Sequence, residues 1–459
     1  KKRKIYGGYA LNELLLLNNS PETIYEEGSV NDIDFYTTDP INDIIDICDI
    51  LQKKNYGNVR GTEAIHKETF SVFVDNELYC DISYVPKNIY NKMPFKERNG
   101  LYIIHPHFMW IDQLRVLTDP INSWFRIKKV YTRFFLLQKY FNLPTNLASI
   151  EIDKNDEDTN VILHDINTFL VNKESTIAVG FYAYNYLLKE SNFVKDFKNN
   201  KVNLERQRQS TPELDYVDIP FFEFISTNYK EDVLELTTRL KKIFKESDIT
   251  YIEFYPFFQY IGYNTNIYFR DILVAKIYSH NKRCIPYKEV RGHYFCKNEK
   301  DHYDMGGKIK IGTFFLNLLH VLINVQRSRV TNNNEHKELY YILSSHLIFL
   351  RNYYFLNNKK KTVLDDTVFE DLVIKCTGST VSPFLEKQER ILKNKAKNKR
   401  FVFSYYPDRT LEKRPVLIFS NSSGNKINNE KNLRLKQNEF NEDDTDENED
   451  IEDNTEILN

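Results

Sequence analysis

The chain has 459 residues, enough for two or three domains with sizeable cores. No run of 18 apolar residues occurs in it, which excludes an ordinary membrane-spanning helix. The five cysteines fit a reducing compartment without a disulfide framework, so we expect free thiols.

Charge is divided unevenly along the chain, although the formal net charge is only −2. Ten of the 65 Asp and Glu residues lie within residues 441–459, which contain no Lys or Arg. The rest of the chain is therefore net basic, which suits a polyanionic substrate. The composition of the acidic tail predicts disorder, and the tail either competes weakly with nucleic acid or only aids solubility.

A glycine pair opens the first predicted helix. Gly7 and Gly8 precede a helical pattern that runs from Tyr9 to Asn18 and carries an apolar stripe of leucines. Such a turn offers backbone N–H groups and the positive end of the helix to a triphosphate. Gly7, Gly8 and Tyr9 are therefore candidate triphosphate-binding residues.

Three carboxylates follow on predicted strands. Asp32 and Asp34 flank one apolar residue, so on a strand both point to the same face. Asp81 lies in a β-rich run, Leu78–Val85, which ends before Pro86. Three carboxylates that converge on one point can hold two Mg²⁺ ions, and such a metal pair can drive in-line attack on a nucleoside triphosphate. Each motif alone is commonly a plain turn or a solvated strand edge, but their order and context favour catalysis.

This order of motifs resembles the polymerase-beta-type nucleotidyltransferase superfamily. The signature of that superfamily is a Gly-Gly or Gly-Ser turn, an Asp-x-Asp strand and a later third Asp, and the resemblance covers roughly residues 4–90. Within the superfamily, the run Asp32–Thr38 and its surroundings look most like the poly(A) polymerase catalytic subunits of large DNA viruses, of poxvirus or giant-virus type. Gly8 and Asp32 are farther apart than is usual, so an extra loop is expected between them.

The resemblance implies a template-independent polynucleotide adenylyltransferase that adds AMP from ATP to RNA 3′ ends, as in mRNA polyadenylation. It implies that Asp32, Asp34 and Asp81 are the metal ligands, with two Mg²⁺ or Mn²⁺ ions as cofactors and ATP as the substrate. It also implies a processivity partner, which is a separate subunit or a second copy of this chain in a homodimer. The implied location is cytoplasmic, in the viral factory or in the virion.

Alternatives remain at this point, because spacing assigns no residue to the adenine base. One is another RNA 3′ nucleotidyltransferase, of poly(U) or CCA-adding type, or an adenylyltransferase that acts on a small molecule. Another is a non-catalytic RNA-binding scaffold. The net basic body favours a polynucleotide over a small acceptor, and the complete set of three carboxylates favours catalysis over a scaffold.

A second copy of the pattern is predicted farther along the chain. Residues 177–188 repeat the Gly, aromatic, Ala, Asn and Leu-Leu order of residues 4–15, and residues 221–227 stand where the first copy has its carboxylate strand. An amphipathic helix follows in each copy, at Asn42–Lys54 and at Lys230–Phe244. Chance similarity between two α/β patterns is the alternative explanation.

The carboxylates are largely lost from the second copy. Phe221 takes the place of the first carboxylate, and either Ala275 or Lys276 takes the place of the third, depending on register. Only Glu223 remains acidic, although Asp271 would restore a ligand if the strand were shifted by four residues. A site with one carboxylate does not hold two Mg²⁺ ions tightly, so this copy is predicted to be catalytically inactive.

These patterns predict an α+β protein with a duplicated nucleotidyltransferase fold and helical additions. The active domain is expected over residues 1–150 and the degenerate copy over residues 160–360. A basic and aromatic C-terminal extension is expected over residues 361–420. A disordered acidic tail is expected over residues 421–459.

Three other segments carry weaker signals. Residues 191–215 are basic and form either an RNA-contacting loop or a solvated excursion. Residues 363–374 suggest another helix or a strand pair. Residues 387–400 predict a basic helix, and the aromatic run at 401–406 beside it suits either single-stranded RNA or the docking of a terminal strand.

Four residues are either zinc ligands or ordinary loop residues: Cys284, His293, Cys296 and His302.

Overall fold

The structure is a computed structural model, and its fold is α+β, which confirms the predicted class. The described residues are 2–26, 29, 31–143, 145–153, 155–199, 214–257, 261–281, 283–330, 336–357, 367–396 and 403–408. The chain divides into two compact units: unit 1 comprises Lys1–Ser29 and Val85–Ser382, and unit 2 comprises Val30–Tyr84 and Pro383–Asn459. Among the described residues, no helix combines the length and the apolar character that crossing a membrane requires.

The helices and strands of the described residues are numbered in chain order. Up to residue 140 they are β1 (Lys4–Tyr6), α1 (Gly7–Leu17), β2 (Ile33–Thr37), α2 (Pro40–Lys53), β3 (Arg60–Glu63), β4 (Thr69–Val74), β5 (Glu77–Tyr84), α3 (Lys87–Lys92), β6 (Phe95–Arg98), β7 (Leu101–Ile104), α4 (Pro106–Leu117), α5 (Pro120–Ser123) and α6 (Ile127–Tyr140).

The remaining elements follow in the same order. They are α7 (Glu157–Leu170), β8 (Thr176–Val179), α8 (Gly180–Ser191), α9 (Phe193–Lys198), β9 (Phe222–Ser226), α10 (Tyr229–Ile243), β10 (Ile249–Phe254), β11 (Asn264–Phe269), β12 (Ile272–Ser279), β13 (Ile285–Tyr294), β14 (Tyr303–Gly312), α11 (Phe314–Val330), α12 (Lys337–Asn357), β15 (Cys376–Thr377), α13 (Pro383–Ala396) and β16 (Ser404–Tyr405).

Unit 2 is built on strands in the order β16-β3-β4-β5-β2. Strands β2 and β5 are parallel, whereas the other neighbouring pairs in this unit are antiparallel. Helix α2 begins after Asp39, whose side chain accepts a hydrogen bond from the Asn42 N–H, and Pro40 occupies its first turn. Ile44 and Cys48 on this helix are fully buried, because an amphipathic helix buries its apolar stripe.

Unit 1 contains two groups of strands. Strand β1 is parallel to β7, which pairs with β6 in an antiparallel hairpin. The second group is an eight-stranded sheet in the order β10-β11-β12-β9-β8-β14-β13-β15. Helix α11 is buried along most of its length, from Phe314 to Gln326, because other helices and the sheet pack around it.

The predicted duplication is confirmed by the order of elements. The series β1-α1-β2-α2-β3-β4-β5 recurs as β8-α8-β9-α10-β10-β11-β12, with α9 as an addition. Each copy starts its first helix on a left-handed glycine, Gly7 with φ of 77° and Gly180 with φ of 65°. Each helix also carries a buried asparagine that binds backbone of the returning chain. Asn12 accepts from the Ile24 N–H, and Asn185 accepts from the Val217 N–H.

Several local expectations need correction or fall outside the described residues. Residues 367–374 contain neither helix nor strand, so the element expected over 363–374 is wrong for the described part. The basic segment 191–215 contains helix α9 in place of a simple loop, and its residues 200–213 lie outside the description. The basic helix is confirmed as α13, whereas the acidic tail lies outside the described residues.

Candidate active site

Helix α1 presents an open N-terminus in unit 1. Strand β1 leads directly into Gly7, and the preceding residue, Tyr6, gives the helix no side-chain cap. The first turn contains no acidic residue, although Asp and Glu side chains commonly stabilise the positive end of a helix dipole at this position. The backbone N–H groups and dipole of this end are therefore available to an anion, as the glycine pair predicts.

An arginine that the sequence did not indicate lies beside Gly8. A Cβ atom at Gly8 would stand 2.2 Å from Nη2 of Arg133 and 2.2 Å from the hydroxyl of Tyr25, so glycine leaves room for both groups. Arg133 Nη2 lies 3.4 Å from the Tyr25 hydroxyl, to which it donates a hydrogen bond. Its Nε is buried without a hydrogen-bond partner among the described residues. A cation at the positive end of a helix is unfavourable by itself, so this arrangement favours an anion between them.

Two of the three predicted carboxylates lie side by side on neighbouring strands of unit 2. Asp34 on β2 is the register partner of Asp81 on the parallel strand β5, and both residues are half-buried. Ser71, opposite Asp81 on β4, donates a hydrogen bond of 2.5 Å to Asp81 Oδ1. Burial, together with the neighbouring Asp81 carboxylate, raises the pKa of the Cys80 thiol well above its usual range, so this thiol stays protonated.

Asp32 lies two residues before Asp34 and is exposed, immediately ahead of β2. The alternation of an extended chain places its side chain on the Asp34 side. Within the described residues, no three Asp, Glu, His or Cys side chains form a metal-binding group. The structure thus brings Asp34 and Asp81 together on neighbouring strands and places Asp32 just before the first residue of β2. Carboxylate oxygens of this kind are suitable ligands for Mg²⁺ or Mn²⁺.

The second copy has a different pair of residues at the equivalent register. Glu223 on β9 is the partner of Lys276 on the parallel strand β12, as Asp34 is the partner of Asp81. The register therefore assigns Lys276, and not Ala275, to the place of the third carboxylate. Asp271 lies in the turn between β11 and β12 with φ of 67°, so it does not restore a ligand.

Glu223 has become the centre of a buried hydrogen-bond network. Its Oε1 accepts from the hydroxyls of Tyr340 and Tyr278, at 2.8 and 3.0 Å, and lies 3.1 Å from Nε2 of His320. Lys276 Nζ donates to the Tyr340 hydroxyl at 2.9 Å. Burial opposes ionisation, but the charges and hydrogen bonds of His320, Lys276 and Tyr340 lower the pKa of Glu223 to about 2.

The Glu223 carboxylate also lies at the N-terminus of α8, the first helix of the second copy. A Cβ atom at Gly180 would stand 2.1 Å from Glu223 Oε2, so the carboxylate lies against the N-terminus of α8. This oxygen is buried and has no hydrogen-bond partner among the described residues. A negative group at this end is stabilised by the helix dipole. In the second copy, the Glu223 carboxylate thus occupies the N-terminal end of the first helix. In the first copy, the N-terminus of α1 has no side-chain cap and no acidic residue in its first turn.

The four candidate zinc ligands do not form a site among the described residues. Cys284 is joined to Cys376 by a disulfide, with the Cα atoms 5.5 Å apart. The expectation of five free thiols is therefore wrong for this pair. The two cysteines are 92 residues apart in sequence, and only the pairing of β13 with β15 brings them together.

Comparisons with known proteins extend over both copies. Residues 1–123 match the family described as "Poly(A) polymerase catalytic subunit", and residues 159–437 match "APMV, Putative poly(A) polymerase, catalytic subunit, C-terminal". The "Putative poly(A) polymerase catalytic subunit" of Acanthamoeba polyphaga mimivirus is 33% identical over 446 residues, which cover 93% of this chain and 74% of that protein. The protein with the same description from African swine fever virus (strain Badajoz 1971 Vero-adapted) is 33% identical over 150 residues, which cover 31% of this chain and 31% of that protein.

A solved structure agrees with these sequence matches. The Megavirus polyadenylate synthase has a TM-score of 0.74 and 31% sequence identity, and the match covers 93% of this chain and 82% of that one. The resemblance seen in the motifs is thereby confirmed, and it holds for the degenerate half as well as for the half with the carboxylates. The chain belongs to the poly(A) polymerase catalytic subunit family and is a nucleotidyltransferase.

Proposed function

We propose that this poly(A) polymerase works by two-metal-ion catalysis, with Asp32, Asp34 and Asp81 as the metal ligands. The observation that carries the proposal is the parallel pairing of Asp34 with Asp81. The degenerate copy provides an internal contrast, because the same register there holds Glu223 and Lys276. Residues 1–150 would form the catalytic domain, and residues 160–360 its inactive counterpart.

The reaction joins the RNA 3′ oxygen to the α-phosphorus of ATP and releases pyrophosphate. When bound, two Mg²⁺ or Mn²⁺ ions lower the pKa of the attacking hydroxyl and neutralise the leaving pyrophosphate. Asp34 and Asp81 supply half-buried carboxylates, and Ser71 fixes the rotamer of Asp81 through its hydrogen bond. Asp32 is exposed and completes the set from the start of the strand.

The triphosphate is assigned to the open N-terminus of α1. Gly7 and Gly8 let the backbone approach the phosphates, and Tyr9 belongs to the first turn that offers its N–H group. Arg133 adds a guanidinium beside Gly8, which matches the geometry of phosphate oxygens. The Arg133 guanidinium and the N-terminus of α1 are both positive, and the negatively charged triphosphate would stabilise both.

The finer assignments of partners and location rest on the family. We propose an RNA 3′ end as the acceptor, together with either a homodimer or a separate processivity subunit. A cytoplasmic site of action, in the viral factory or in the virion, is proposed on the same ground.

Primer extension tests the proposal directly. A single-stranded RNA oligonucleotide is incubated with the full chain, each nucleoside triphosphate in turn, and Mg²⁺ or Mn²⁺. Long products with ATP alone are expected, and their formation should stop when the divalent cation is chelated. Extension with UTP or CTP in preference to ATP would contradict the assignment, as would extension that persists in excess chelator.

The Arg133→Ala variant tests the triphosphate assignment. We expect KM for ATP to rise about 10- to 150-fold, because a charge-assisted hydrogen bond to a phosphate contributes about 1.5–3 kcal/mol. Inhibition by pyrophosphate should weaken in parallel, whereas KM for RNA should stay unchanged. Arg291→Ala, at a guanidinium side chain that is 82% exposed in the second copy, is the matched control. An unchanged KM for ATP in Arg133→Ala would remove Arg133 from the site.

A further inference from the structure

Helix α6 and the turn before it expose an unusual concentration of aromatic side chains. Trp124 and Phe125, in the 3₁₀ turn Trp124–Arg126, are 70% and 64% exposed, and Phe135 on the helix is 65% exposed. Trp124 and Phe125 also contact each other, with ring centroids 6.0 Å apart. Aromatic rings are rarely left in water in such a group unless they bind something.

The charged residues in this stretch of the sequence are all basic. Residues 120–150 contain five Lys and Arg residues and no Asp or Glu. Arg133 lies beside Gly8, and Lys139 pairs with Glu22 at 2.8 Å. The other three are exposed next to the rings: Arg126, Lys128 and Lys129.

The arrangement along the helix is regular. Lys128, Thr132, Phe135 and Lys139 follow one another at helical spacing, and all four are exposed on one face of α6. Lys128 and Phe135 are thus about 10 Å apart along the helix axis. Trp124 and Phe125 extend this face at its N-terminal end, and the guanidinium of Arg126 lies 5.5 Å from the Phe125 ring centroid.

We propose that this surface binds single-stranded RNA, an inference that rests on the proposed function. We call it the α6 platform and define it by Trp124, Phe125, Arg126, Lys128 and Phe135. Bases of the primer stack on the rings, and the phosphates between them contact Arg126 and Lys128. Aromatic rings interleaved with cations are the recurring means of holding a single strand without sequence preference. An acceptor that grows as poly(A) needs such a contact upstream of its 3′ end.

A second protein chain is the other possible occupant, and the charges argue against it. Protein interfaces are enriched in aromatic residues but depleted in lysine. Here Lys128 stands on the exposed side of the helix, and residues 120–150 contain no Asp or Glu. A polyanion complements this surface better than an ordinary protein face does.

Tryptophan fluorescence offers a direct measurement. The chain has two tryptophans, and Trp110 is only 3% exposed, so Trp124 reports on the platform. Oligo(A) of 15 nucleotides, added to the full chain without ATP or metal, is expected to quench Trp124 emission as bases stack on the indole. Trp124→Phe should lose the quenching yet bind the RNA within about twofold of wild type in fluorescence anisotropy, because phenylalanine still stacks.

Affinity measurements on the other variants decide the proposal. Trp124→Ala and Phe125→Ala are each expected to weaken oligo(A) binding about tenfold. Lys128→Ala should weaken it and reduce the slope of log K against log salt by about 1. Tyr251→Ala, at a ring that is 56% exposed on β10 beside Glu253, is the matched control and should bind like wild type.

Unchanged RNA affinity in Trp124→Ala would overturn the proposal. So would a shift in sedimentation coefficient of that variant without a change in RNA affinity, because it would mark a protein interface. Failure of the platform is distinguishable from failure of the catalytic proposal. Wild type that binds and quenches but adds no AMP supports the platform alone, whereas Trp124→Ala that binds and extends normally refutes the platform alone.

Discussion

The Asp34→Asn variant is expected to fold normally and to lose polyadenylation by about a thousandfold. Asparagine keeps the shape of the side chain but removes the charge that a divalent cation requires. The loss of one preorganised electrostatic group from an active site typically costs about 10²–10³ in rate. Asp81→Asn, on the neighbouring parallel strand, should show the same loss, because Asp81 pairs in register with Asp34 and is proposed to bind the same metal ions. Single-turnover extension of an RNA primer measures both.

The control for this experiment lies in the second copy. Asp271 occupies a hairpin turn with positive φ, a conformation that asparagine accepts readily, so Asp271→Asn should retain wild-type extension. Circular dichroism and thermal unfolding should be alike for all three variants. If Asp34→Asn, correctly folded, still extended primers at more than about a tenth of the wild-type rate, the carboxylate pair would not be the metal site.

Glu223→Ala should lower the free energy of unfolding by about 3–5 kcal/mol. Removal of one member of a buried ionic network leaves the others without compensation, and here Lys276 and His320 remain buried. The Tyr340 and Tyr278 hydroxyls also lose their acceptor. Chemical denaturation followed by fluorescence gives the change, with Glu246→Ala, at a side chain that is 84% exposed, as the control expected within about 0.5 kcal/mol.

The catalytic constant should stay unchanged in this variant, since the second copy has Glu223 and Lys276 at the register where the first has Asp34 and Asp81. Extension by Glu223→Ala, assayed well below its unfolding transition, should remain within about twofold of wild type. A stable variant without activity would instead place Glu223 in the reaction, and a loss of stability below about 1 kcal/mol would show that the network contributes little.

Acid should weaken the same network. The pKa of Glu223 is lowered in the folded chain, from an ordinary value near 4.5 to about 2. Its contribution to stability is therefore complete above about pH 4.5 and is lost as the pH falls towards 2. Unfolding of wild type and Glu223→Gln, compared between pH 5 and pH 3, should show a difference that shrinks on acidification. A difference that stayed constant would contradict the direction of the shift.

The local elements around both copies were predictable from the sequence. The helix expected at Asn42–Lys54 is Pro40–Lys53, and the one expected at Lys230–Phe244 is Tyr229–Ile243. The strand expected at Leu78–Val85 is Glu77–Tyr84. Periodicity and capping are short-range properties, so they specify such elements to within one or two residues.

The long-range parts of the site were not predictable in the same way. Ser71 could have been found, because a hairpin signal connects it to the strand of Asp81. Arg133 could not, because 125 positions separate it from Gly8 and no spacing rule connects a helix face to a distant turn. The exposure of Trp124 and Phe125 was equally hidden, since an aromatic residue in a sequence more often signals a core.

The sequence by itself determined the family and the residues proposed for the chemistry: the glycine turn, the three carboxylates and the loss of such carboxylates from the second copy. Tertiary structure alone decided which residues meet. It paired Glu223 with Lys276 and not with Ala275, a choice that one step of strand register reverses. It also joined Cys284 to Cys376 and carried Arg133 to the end of α1. Residue type and spacing are local and specify reactivity, whereas pairing between distant segments depends on the packing of the whole chain.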